Sequence, residues 1–503
     1  MPNQYPAGPM AFASSTLASR ALIKDLTNAQ VSFDDSAKGR ADHGRDWWPL
    51  TIPDVAEGHV PRWPAVVVQP TSTDEVSRVL EIASKHGVAV TAQGGRSSVV
   101  GGAAAPDGAI ALDMTRMNQV LDVDTVSGTV SVEAGVFGPD LERAVGELGW
   151  TVGHFPQSFD LATVGGWIAC RGAGQYSNRY GKIEDIVRGL SVVLASGEVL
   201  ELGGRAPREA VGPDLVQLFV GSEGTLGVIT RATLVMHPTP ASERRAAYGF
   251  VSFDDGLDAC RRIMQRDARP AVLRLYDEVE STRSFGVESC ALIVLDEGDA
   301  HLVEATTRIV AEECAAATEL DPAHVATWLE HRNDVGALAA LWERGYVVDT
   351  IEVAGTWATL SAMRRSVIDA LRQIPGITVA SVHQSHAYLD GACLYFTFAG
   401  RPEDDVTGFY RRAWECVTKE VLNVGGALSH HHGVGRNRAR FAPEALGSGF
   451  GVLVNLKHQL DPDNIMNPGR LQPSAAPFEE WSQIASAPKA NTKAKAARAS
   501  HRE

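Results

Sequence analysis

Two glycine-rich segments constrain most strongly what this chain can fold into. The first reads Gln93-Gly94-Gly95-Arg96-Ser97-Ser98 and runs on to Gly102, and the second reads Pro156-Gln157-Ser158 and then Thr163-Val164-Gly165-Gly166-Trp167. Glycine leaves backbone N–H groups uncovered and permits positive φ, so such loops can wrap a pyrophosphate that bulkier residues would exclude. The pair therefore predicts a dinucleotide cofactor lying against bare backbone.

A third glycine-spaced stretch runs from Gly221 to Thr230 and contains Glu223, Gly224, Gly227, Val228 and Ile229. The first loop is neither a P-loop, which needs Gly-Lys-Ser or Gly-Lys-Thr, nor a G-x-G-x-x-G that opens a helix. One Gly-Gly pair after a strand would be equally well explained as an ordinary turn. Three clusters bordering strands within about 180 residues, a typical domain size, favour a ligand-binding domain.

Composition limits the classes of protein. With 503 residues, 44% hydrophobic and 21% charged, the chain is long enough for two or three packed domains. A net charge of -15 argues against nucleic acid as a partner, because phosphate backbones are bound by clustered Lys and Arg. The basic tail is the exception, and we interpret it as a solvated disordered extension in preference to a nucleic-acid or membrane arm.

The cysteines and the apolar runs bear on location. Six widely spaced cysteines form no C-x-x-C pair, which argues against a zinc ribbon or a disulfide framework and fits a reducing compartment. The first 20 residues have no basic segment before an apolar core, and no apolar run approaches the ~20 residues that span a bilayer. We expect a soluble, cytoplasmic protein whose membrane contact, if any, is peripheral.

The pattern along the chain predicts five regions. Residues 1–58 are an irregular extension that packs on the body, 59–240 a cofactor-binding domain, and 241–455 a second, substrate domain. Residues 456–474 return to the first domain, and 475–503 form the disordered tail. Within the second region, Ser72 and Glu75 have capping-box spacing before a helix that Gly87 ends, giving a strand, helix, strand and glycine-loop unit.

Candidate chemistry is concentrated near the end of the second domain. A histidine triplet, His430, His431 and His432, precedes Gly-Val-Gly, and Tyr395 lies in an aromatic strand before it. A bare run of three histidines is more often exposed or satisfied in a core, and a Tyr on a strand is usually core. The following glycines let the backbone approach a ligand closely, which favours a functional role for the triplet. Imidazole also exchanges protons near neutral pH, as a catalytic group must. A metal site joined by His383 and His386 is the competing interpretation.

These motifs together resemble a known flavoprotein family. The glycine loops, His154-Phe155-Pro156-Gln157-Ser158, Gly181 to Asp185, Gly221 to Thr230, Gly391 to Phe396 and His430 to Gly435 are similar, in order and spacing, to the vanillyl-alcohol oxidase and p-cresol methylhydroxylase fold. Within that fold the chain most resembles the alkyldihydroxyacetonephosphate synthases. The resemblance covers about residues 60 to 470 and implies an α+β protein, with a two-subdomain FAD-binding domain of the p-cresol methylhydroxylase type and an α+β cap domain.

The resemblance implies how FAD is held. The loop from Gln93 to Ser98 would bind the pyrophosphate, residues 156–158 and 163–167 would flank the ribityl chain and the flavin, and the segment from Glu223 to Ile229 would touch the adenine or the ring edge. Relatives with covalent FAD often have His where Arg96 stands, so we expect non-covalent FAD. Family members are commonly dimers, so a homodimer is expected.

The resemblance also implies roles in a reaction. In the synthases, an acyl group is exchanged for an alkyl group through a flavin N5 adduct, without net redox change. Tyr395 would be the base, the triplet would stabilise charge, and His154 and Arg274 would position a small, lipid-like substrate. A surface salt bridge is an equally good interpretation of Arg274 from sequence alone.

Two departures keep an alternative open. The relatives that oxidise 2-hydroxy acids have Glu-His-Gly where this chain has His-His-Gly. Without that carboxylate as a ligand, we expect no metal at this site. The synthases have an arginine where this chain reads Gly336-Ala337-Leu338-Ala339-Ala340-Leu341. The absence of that arginine weakens the expectation that the substrate carries a phosphate. The alternative function is an FAD-linked oxidase or dehydrogenase that transfers hydride from a hydroxylated substrate to FAD, and a flavin-binding protein without turnover is a third possibility.

Overall fold

The first glycine loop follows the edge strand of a small mixed sheet. The computed structural model describes residues 17–56 and 58–471, so the predicted tail, residues 475–503, lies outside the described residues. The sheet has the order β1-β2-β4-β3, with β1 antiparallel to β2 and both β2 and β3 parallel to β4. Its strands are β1 (Phe33–Asp34), β2 (Val66–Val68), β3 (Val90–Gln93) and β4 (Ile110–Asp113), and its helices are α1 (Arg20–Asn28), α2 (Ala37–His43), α3 (Ile52–Ala56) and α4 (Thr73–His86).

The unit predicted around α4 is present in this sheet. The Ser72 hydroxyl accepts a hydrogen bond from the Glu75 N–H, and Gly87 ends the helix at φ +60°. A side-chain oxygen at this position satisfies an N–H group that has no partner within the helix. Strand β3 then runs directly into residues 93–102, which places the glycine loop at its carboxyl end.

Residues 17–56 are more than the irregular extension that we expected. They contain three helices and a strand that joins the first sheet, and Leu22 and Leu26 are buried in the same core as Val66 and Val76. Short helices capped by Ser19 and Ser36 explain the difference, because helices of seven to nine residues leave little periodicity to detect. Further along, Trp48 Nε1 donates to Tyr410 Oη at 3.0 Å and so ties this region to the second domain.

A five-stranded antiparallel sheet forms the second half of the first domain, in the order β5-β6-β10-β8-β9. Its strands are β5 (Val120–Asp124), β6 (Thr129–Glu133), β8 (Val187–Val193), β9 (Val199–Gly203) and β10 (Val228–Val235), and a separate pair joins β7 (Trp150–Thr151) to β11 (His237–Pro238). Helices α5 (Gly138–Gly146), α6 (Val164–Cys170), α7 (Ser177–Tyr180), α8 (Ile183–Ile186) and α9 (Leu215–Phe219) surround it. The second glycine segment forms the start of α6, where Thr163 accepts from the Gly166 N–H.

The second domain is built on a seven-stranded antiparallel sheet in the order β15-β12-β14-β13-β17-β18-β16. The strands are β12 (Ser242–Phe250), β13 (Val272–Tyr276), β14 (Cys290–Gly298), β15 (Thr318–Leu320), β16 (Val347–Thr356), β17 (Ile377–Ala387) and β18 (Gly391–Gly400). Its helices are α10 (Phe253–Gln265), α11 (Glu278–Phe285), α12 (Ala300–Glu313), α13 (Ala323–His331), α14 (Ala337–Glu343), α15 (Trp357–Arg372) and α16 (Val406–Asn423). Two helices follow, α17 (Ala442–Leu446) and α18 (Gly449–Leu460).

The largest hydrophobic core lies between this sheet and helices such as α10, α15 and α16, where Phe396, Phe398, Phe409 and Trp414 are fully buried. The opposite face of the sheet faces the first domain and carries Tyr395, Arg274 and His383. All six cysteines are free thiols, as expected. Within the described ranges, no helix is both long and apolar enough to cross a membrane.

The chain returns to the first domain after α18. Residues 465–467 pair with β3: the Val90 N–H donates to the Ile465 carbonyl at 2.7 Å, and the Asn467 N–H donates to the Val90 carbonyl at 2.8 Å. The Asn467 side chain donates to the carbonyls of Gly102 and Glu223 and accepts from the Thr91 hydroxyl. One buried amide therefore connects two of the three glycine stretches.

We predict that Asn467→Ala lowers the free energy of unfolding by about 2 kcal/mol, because buried carbonyls lose their donors and net contributions run near 1 kcal/mol per hydrogen bond. Asn464→Ala is the matched control. Asn464 shares the left-handed backbone, at φ +51° against +40° for Asn467, but its side chain makes no hydrogen bond to any residue that the structure describes. Denaturant unfolding of both variants measures the difference, and an equal loss in the two would assign the effect to backbone strain.

Candidate functional site

A cavity of about 930 Å³ lies between the glycine loops and the inner face of the seven-stranded sheet. Ligand sites in proteins commonly have volumes of about 300–1,000 Å³. The predicted residues that line this cavity are Gln93, Gly94, Ser97, Ser98, Pro156, Gln157, Ser158, Thr163, Gly165, Gly166, Trp167, Glu223, Gly224, Gly227, Ile229, Arg274, Tyr395, His431 and His432. The structure thus brings all three glycine stretches and most of the candidate catalytic residues to one space.

Five predicted site residues do not line the cavity: Gly95, Arg96, Val228, His154 and His430. A Cβ at Gly95 would collide with the Leu161 carbonyl oxygen, so this glycine serves close packing of the loop on the second segment. Arg96 has a left-handed backbone at φ +55°, and Val228 is buried in a core. Their contact with a cofactor stays a prediction, and each adjoins a residue that lines the cavity.

The glycine loops fit a dinucleotide for a related reason. A Cβ at Gly94 would collide with the Thr163 side chain, and one at Gly165 would lie 2.7 Å from Ala134 Cβ. Only glycine lets the first loop, α6 and the end of β6 approach this closely. Thr163, Gly165 and Gly166, at the start of α6, line the same cavity.

His154 is placed differently from the prediction. Its ring is fully buried, packs on Trp167 with centroids 4.7 Å apart, and has no hydrogen-bond partner at either nitrogen among residues 17–56 and 58–471. Burial lowers the pKa of His154 to about 3, so the ring is neutral. It packs behind Trp167, which lines the cavity, and its predicted role in positioning a substrate stays a prediction. The sequence resemblance could not reveal the burial of His154, because that burial depends on how α6 folds over the ring.

The triplet lies in a bend-rich loop, residues 429–435, which we call the His loop; the alternation expected of a strand does not apply. Glu352 on β16 holds this loop. Its Oε1 accepts from the His432 N–H at 2.6 Å, the His431 N–H at 3.1 Å and the Ser429 hydroxyl at 2.7 Å. Arg438 completes the set with both terminal nitrogens on the carboxylate, the shorter bond being 2.7 Å from Nη2 to Oε2.

Glu352 and Arg438 are both fully buried. Burial alone would raise the pKa of Glu352, but the positive charge of Arg438 and its hydrogen bonds to the carboxylate hold that pKa well below its usual range. The carboxylate is therefore ionised and accepts all these hydrogen bonds at once. A bidentate Arg–carboxylate pair fixes geometry as well as charge.

The three histidine rings are directed to different places. His431 and His432 line the cavity, whereas His430 points away and forms a hydrogen bond between its Nε2 and Tyr388 Oη at 2.9 Å. His430 Nδ1 and His431 Nδ1 lie 2.9 Å apart, so one of them donates to the other. Burial lowers the pKa of His430 and of His432 to about 4 and holds that of His431 well below its usual value, so all three rings are uncharged at neutral pH.

Tyr395 faces the same space from β18. Its hydroxyl lies 3.4 Å from His432 Nε2 and accepts from the Thr350 hydroxyl at 3.2 Å. Burial raises the pKa of Tyr395 above its ordinary value of 10, so the phenol keeps its proton. Tyr395 can take a proton from a ligand only if its own proton moves to His432, and the pair therefore acts as one acid–base unit.

Arg274 is directed into the cavity by a buried relay. Glu280 accepts from His383 Nδ1 at 2.7 Å, which leaves His383 Nε2 as the acceptor for Arg274 Nη2 at 2.9 Å. Burial would raise the pKa of Glu280, but His383 lowers it to about 2, so Glu280 is ionised. The surface salt bridge considered for Arg274 is wrong, because the residue is 9% exposed and has no acidic partner among the described residues.

Glu223 attaches the His loop to the first domain. Its carboxylate accepts from the Val434 N–H at 2.6 Å and the Gly435 N–H at 2.8 Å. Burial raises the pKa of Glu223, and these two backbone donors oppose the rise. Although Glu223 lines the cavity, both of its oxygens are already engaged, so its main role is to join the two domains beside the site.

The histidines that lie close enough to share a metal ion differ from the expected set, in which His383 and His386 joined the triplet. The ligand nitrogens of His386, His430 and His431 lie within 4.8 Å of one another, whereas His383 belongs to the Glu280 relay. Both nitrogens of His430 are engaged, and His386 Nδ1 lies 2.9 Å from Ser177 Oγ. These hydrogen bonds compete with metal binding, and the absence of a metal stays a prediction.

The stretch that lacks the family's arginine forms an apolar wall of the cavity. It is the start of α14, and Leu338, Ala339 and Leu341 line the cavity together with Val335 and Val348. Its aliphatic side chains stand where the resemblance implies an arginine.

Three important residues escaped the sequence analysis: Glu352, Arg438 and Glu280. Glu352 could have been suspected, because a carboxylate inside the apolar strand Val347–Thr356 must find a partner if it is buried. Arg438 and Glu280 carry no such signal, since each stands in a polar stretch.

Comparison with known proteins agrees with this geometry. Residues 64–203 match the FAD binding domain family, and residues 239–471 match the C-terminal domain family of FAD linked oxidases. The chain is 34% identical over 434 residues to the uncharacterized FAD-linked oxidoreductase YgcU of Escherichia coli strain K12, across 82% of this chain and 89% of that protein. It is 31% identical to alkyldihydroxyacetonephosphate synthase of Dictyostelium discoideum, across 83% and 74%. It is 28% identical to the glycolate oxidase subunit GlcD of Bacillus subtilis, across 88% and 94%.

Solved structures give the same result. An alkyldihydroxyacetonephosphate synthase superposes with a TM-score of 0.76 at 27% identity, across 92% of this chain and 89% of that one. p-Cresol methylhydroxylase superposes with a TM-score of 0.71 at 16% identity, across 92% and 98%, which shows the fold. The predicted fold class and the predicted FAD cofactor are confirmed. The chain is an FAD-dependent enzyme with a p-cresol methylhydroxylase-type FAD-binding domain and an FAD-oxidase cap domain, and it belongs to the FAD-linked oxidase family.

Proposed function

We propose that this flavoenzyme is a transferase of the alkyldihydroxyacetonephosphate synthase kind, exchanging an acyl for an alkyl group with no net redox change. The observation that carries the proposal is the pair of Tyr395 Oη and His432 Nε2, 3.4 Å apart in the cavity and both uncharged at neutral pH. It supports removal and return of a substrate proton by two uncharged side chains. The similarity to synthases over more than four fifths of the chain supports it further.

The residues of this chain divide the work of such a reaction. When bound, FAD supplies a ring system that accepts electron density from the substrate carbon. Tyr395 removes the proton from that carbon as its own proton passes to His432. The low pKa of His432 makes the resulting imidazolium costly by itself, but the negative charge that develops on the substrate offsets the cost.

His431 and Arg274 act beside this pair. His431 shares a proton with His430, so its ring can donate towards a carbonyl or enolate oxygen in the cavity. Arg274 is held by the Glu280–His383 relay at a fixed place and orients the substrate. The aliphatic wall at α14 suits a long alkyl or acyl chain, which supports a lipid-like substrate.

A second candidate function is dehydrogenation of a hydroxylated substrate. The similarity to YgcU and to GlcD favours it, and so does the loss of the arginine at α14. The same Tyr395–His432 pair would then take the hydroxyl proton while hydride leaves to FAD.

We predict that Tyr395→Phe keeps FAD but loses turnover by at least about 10²-fold, the usual worth of a positioned acid or base. The assay follows a labelled fatty alcohol entering an acyl-dihydroxyacetone phosphate while the flavin absorbance is recorded under anaerobic conditions. Exchange without bleaching supports the transferase, and bleaching by 2-hydroxy acids supports the dehydrogenase. Tyr248→Phe is the control, because Tyr248 is buried in the cap core and does not line the cavity. Unchanged turnover in Tyr395→Phe would remove Tyr395 from the mechanism.

We also predict that FAD is bound without a covalent link. Arg96 has no nucleophilic atom to form one and lies outside the cavity lining. Burial raises the pKa of the Cys170 thiol, which does line the cavity, to about 12, so its reactive thiolate is scarce. Acid precipitation of the yellow protein should leave all the colour in the supernatant, and a yellow pellet would contradict the prediction.

A further inference from the structure

Two arginines of the cap domain share one tryptophan beside the cavity. The guanidinium carbon of Arg274 lies 5.4 Å from the centroid of the Trp328 ring, and that of Arg332 lies 5.7 Å from it. All three residues line the cavity. Trp328 belongs to α13, and Arg332 follows directly after that helix.

Arg274 has donor capacity left over. Its Nε donates to Tyr276 Oη and its Nη2 to His383 Nε2, and both acceptors are uncharged groups. Its remaining terminal nitrogen, Nη1, has no partner within the part of the chain that the structure describes. A guanidinium that is 9% exposed, with free donors facing a cavity, is incomplete without an acceptor from a ligand.

Arg332 lies among aromatic rings. Its guanidinium carbon lies 5.0 Å from the Tyr176 ring centroid and 5.7 Å from that of Phe155. Its one hydrogen bond to a side chain runs from Nη1 to Gln175 Oε1 at 3.4 Å. Across the described ranges it forms no ion pair. The rings hold the guanidinium by cation–π contact and leave most of its donors unoccupied.

The acids nearby do not neutralise these two arginines. Glu280 is occupied by His383, by the Ser381 and Thr397 hydroxyls, and by Arg283 at 3.5 Å. Asp334 lines the cavity but is exposed and accepts from the Gly336 N–H. Two guanidinium groups thus present net positive charge to a partly buried space, and such charge is stabilised by an anion.

We propose that Arg332, together with Arg274, binds an anionic head group of the substrate, with Trp328 as the common support. Arg332 would then determine specificity, supplying from the end of α13 the positive charge that is missing from α14. The inference rests on the proposed function for the identity of the reaction but concerns binding alone. A phosphate monoester and a carboxylate share the required chemistry.

The test is calorimetric titration of the FAD-loaded protein with three small probes: dihydroxyacetone phosphate, propionate, and neutral dihydroxyacetone. We expect an anionic probe to bind and the neutral one to bind at least about tenfold more weakly, the factor that corresponds to a lost charged hydrogen bond. Arg332→Met should weaken binding of the anion by a similar factor, and Arg332→Lys by less. The tighter of the two anions identifies the head group.

Arg372→Met is the matched control, because Arg372 is exposed at the end of α15, far from the cavity lining, and should leave binding unchanged. Equal binding of the anions by Arg332→Met and the wild-type protein would overturn the proposal, as would equal binding of the neutral probe or no binding of either anion. Loss of FAD from Arg332→Met would assign the guanidinium to the cofactor and overturn it too. Because no turnover is measured, failure of the exchange reaction would leave this result unaffected.

Discussion

The buried ion pair between Glu352 and Arg438 is the interaction on which the candidate active site depends. A buried carboxylate is costly unless its lone pairs are occupied, and here Arg438, two backbone N–H groups and a serine hydroxyl occupy them. The two N–H groups belong to His431 and His432. The positions of both histidine rings are therefore set by a group outside the cavity, through their own backbone.

A second carboxylate holds the other end of the His loop. Glu223 comes from the FAD-binding domain and accepts from the N–H groups of residues 434 and 435. The loop is thus fixed by one acid from each domain, and Asn467 connects the Glu223 segment to the first glycine loop. Because the histidine rings and the glycine loops share these anchors, the candidate site is preorganised, which lowers the reorganisation that a reaction there would need.

The sequence predicted the glycine segments, the α4 unit and the family well, because close backbone approach and helix capping depend on residues near each other in the chain. It failed where burial or distant contacts decide. His154 looks catalytic by resemblance but is enclosed behind Trp167, and Gly95 belongs to the loop yet packs against Leu161. Glu352 and Arg438 are 86 residues apart, so only the folded sheet brings them together. The homodimer and the cytoplasmic location stay predictions.

Amide hydrogen exchange of the His loop in Glu352→Gln tests this account most directly. An amide nitrogen at this position would face the Arg438 donors, and breaking a buried pair costs about 3–5 kcal/mol. We predict that the amides of His431 and His432 lose protection in Glu352→Gln but keep it in Asp349→Asn, which alters another buried carboxylate of β16 that contacts Tyr410 and Trp414. Unchanged protection at both histidines in Glu352→Gln would contradict the claim that Glu352 positions the triplet.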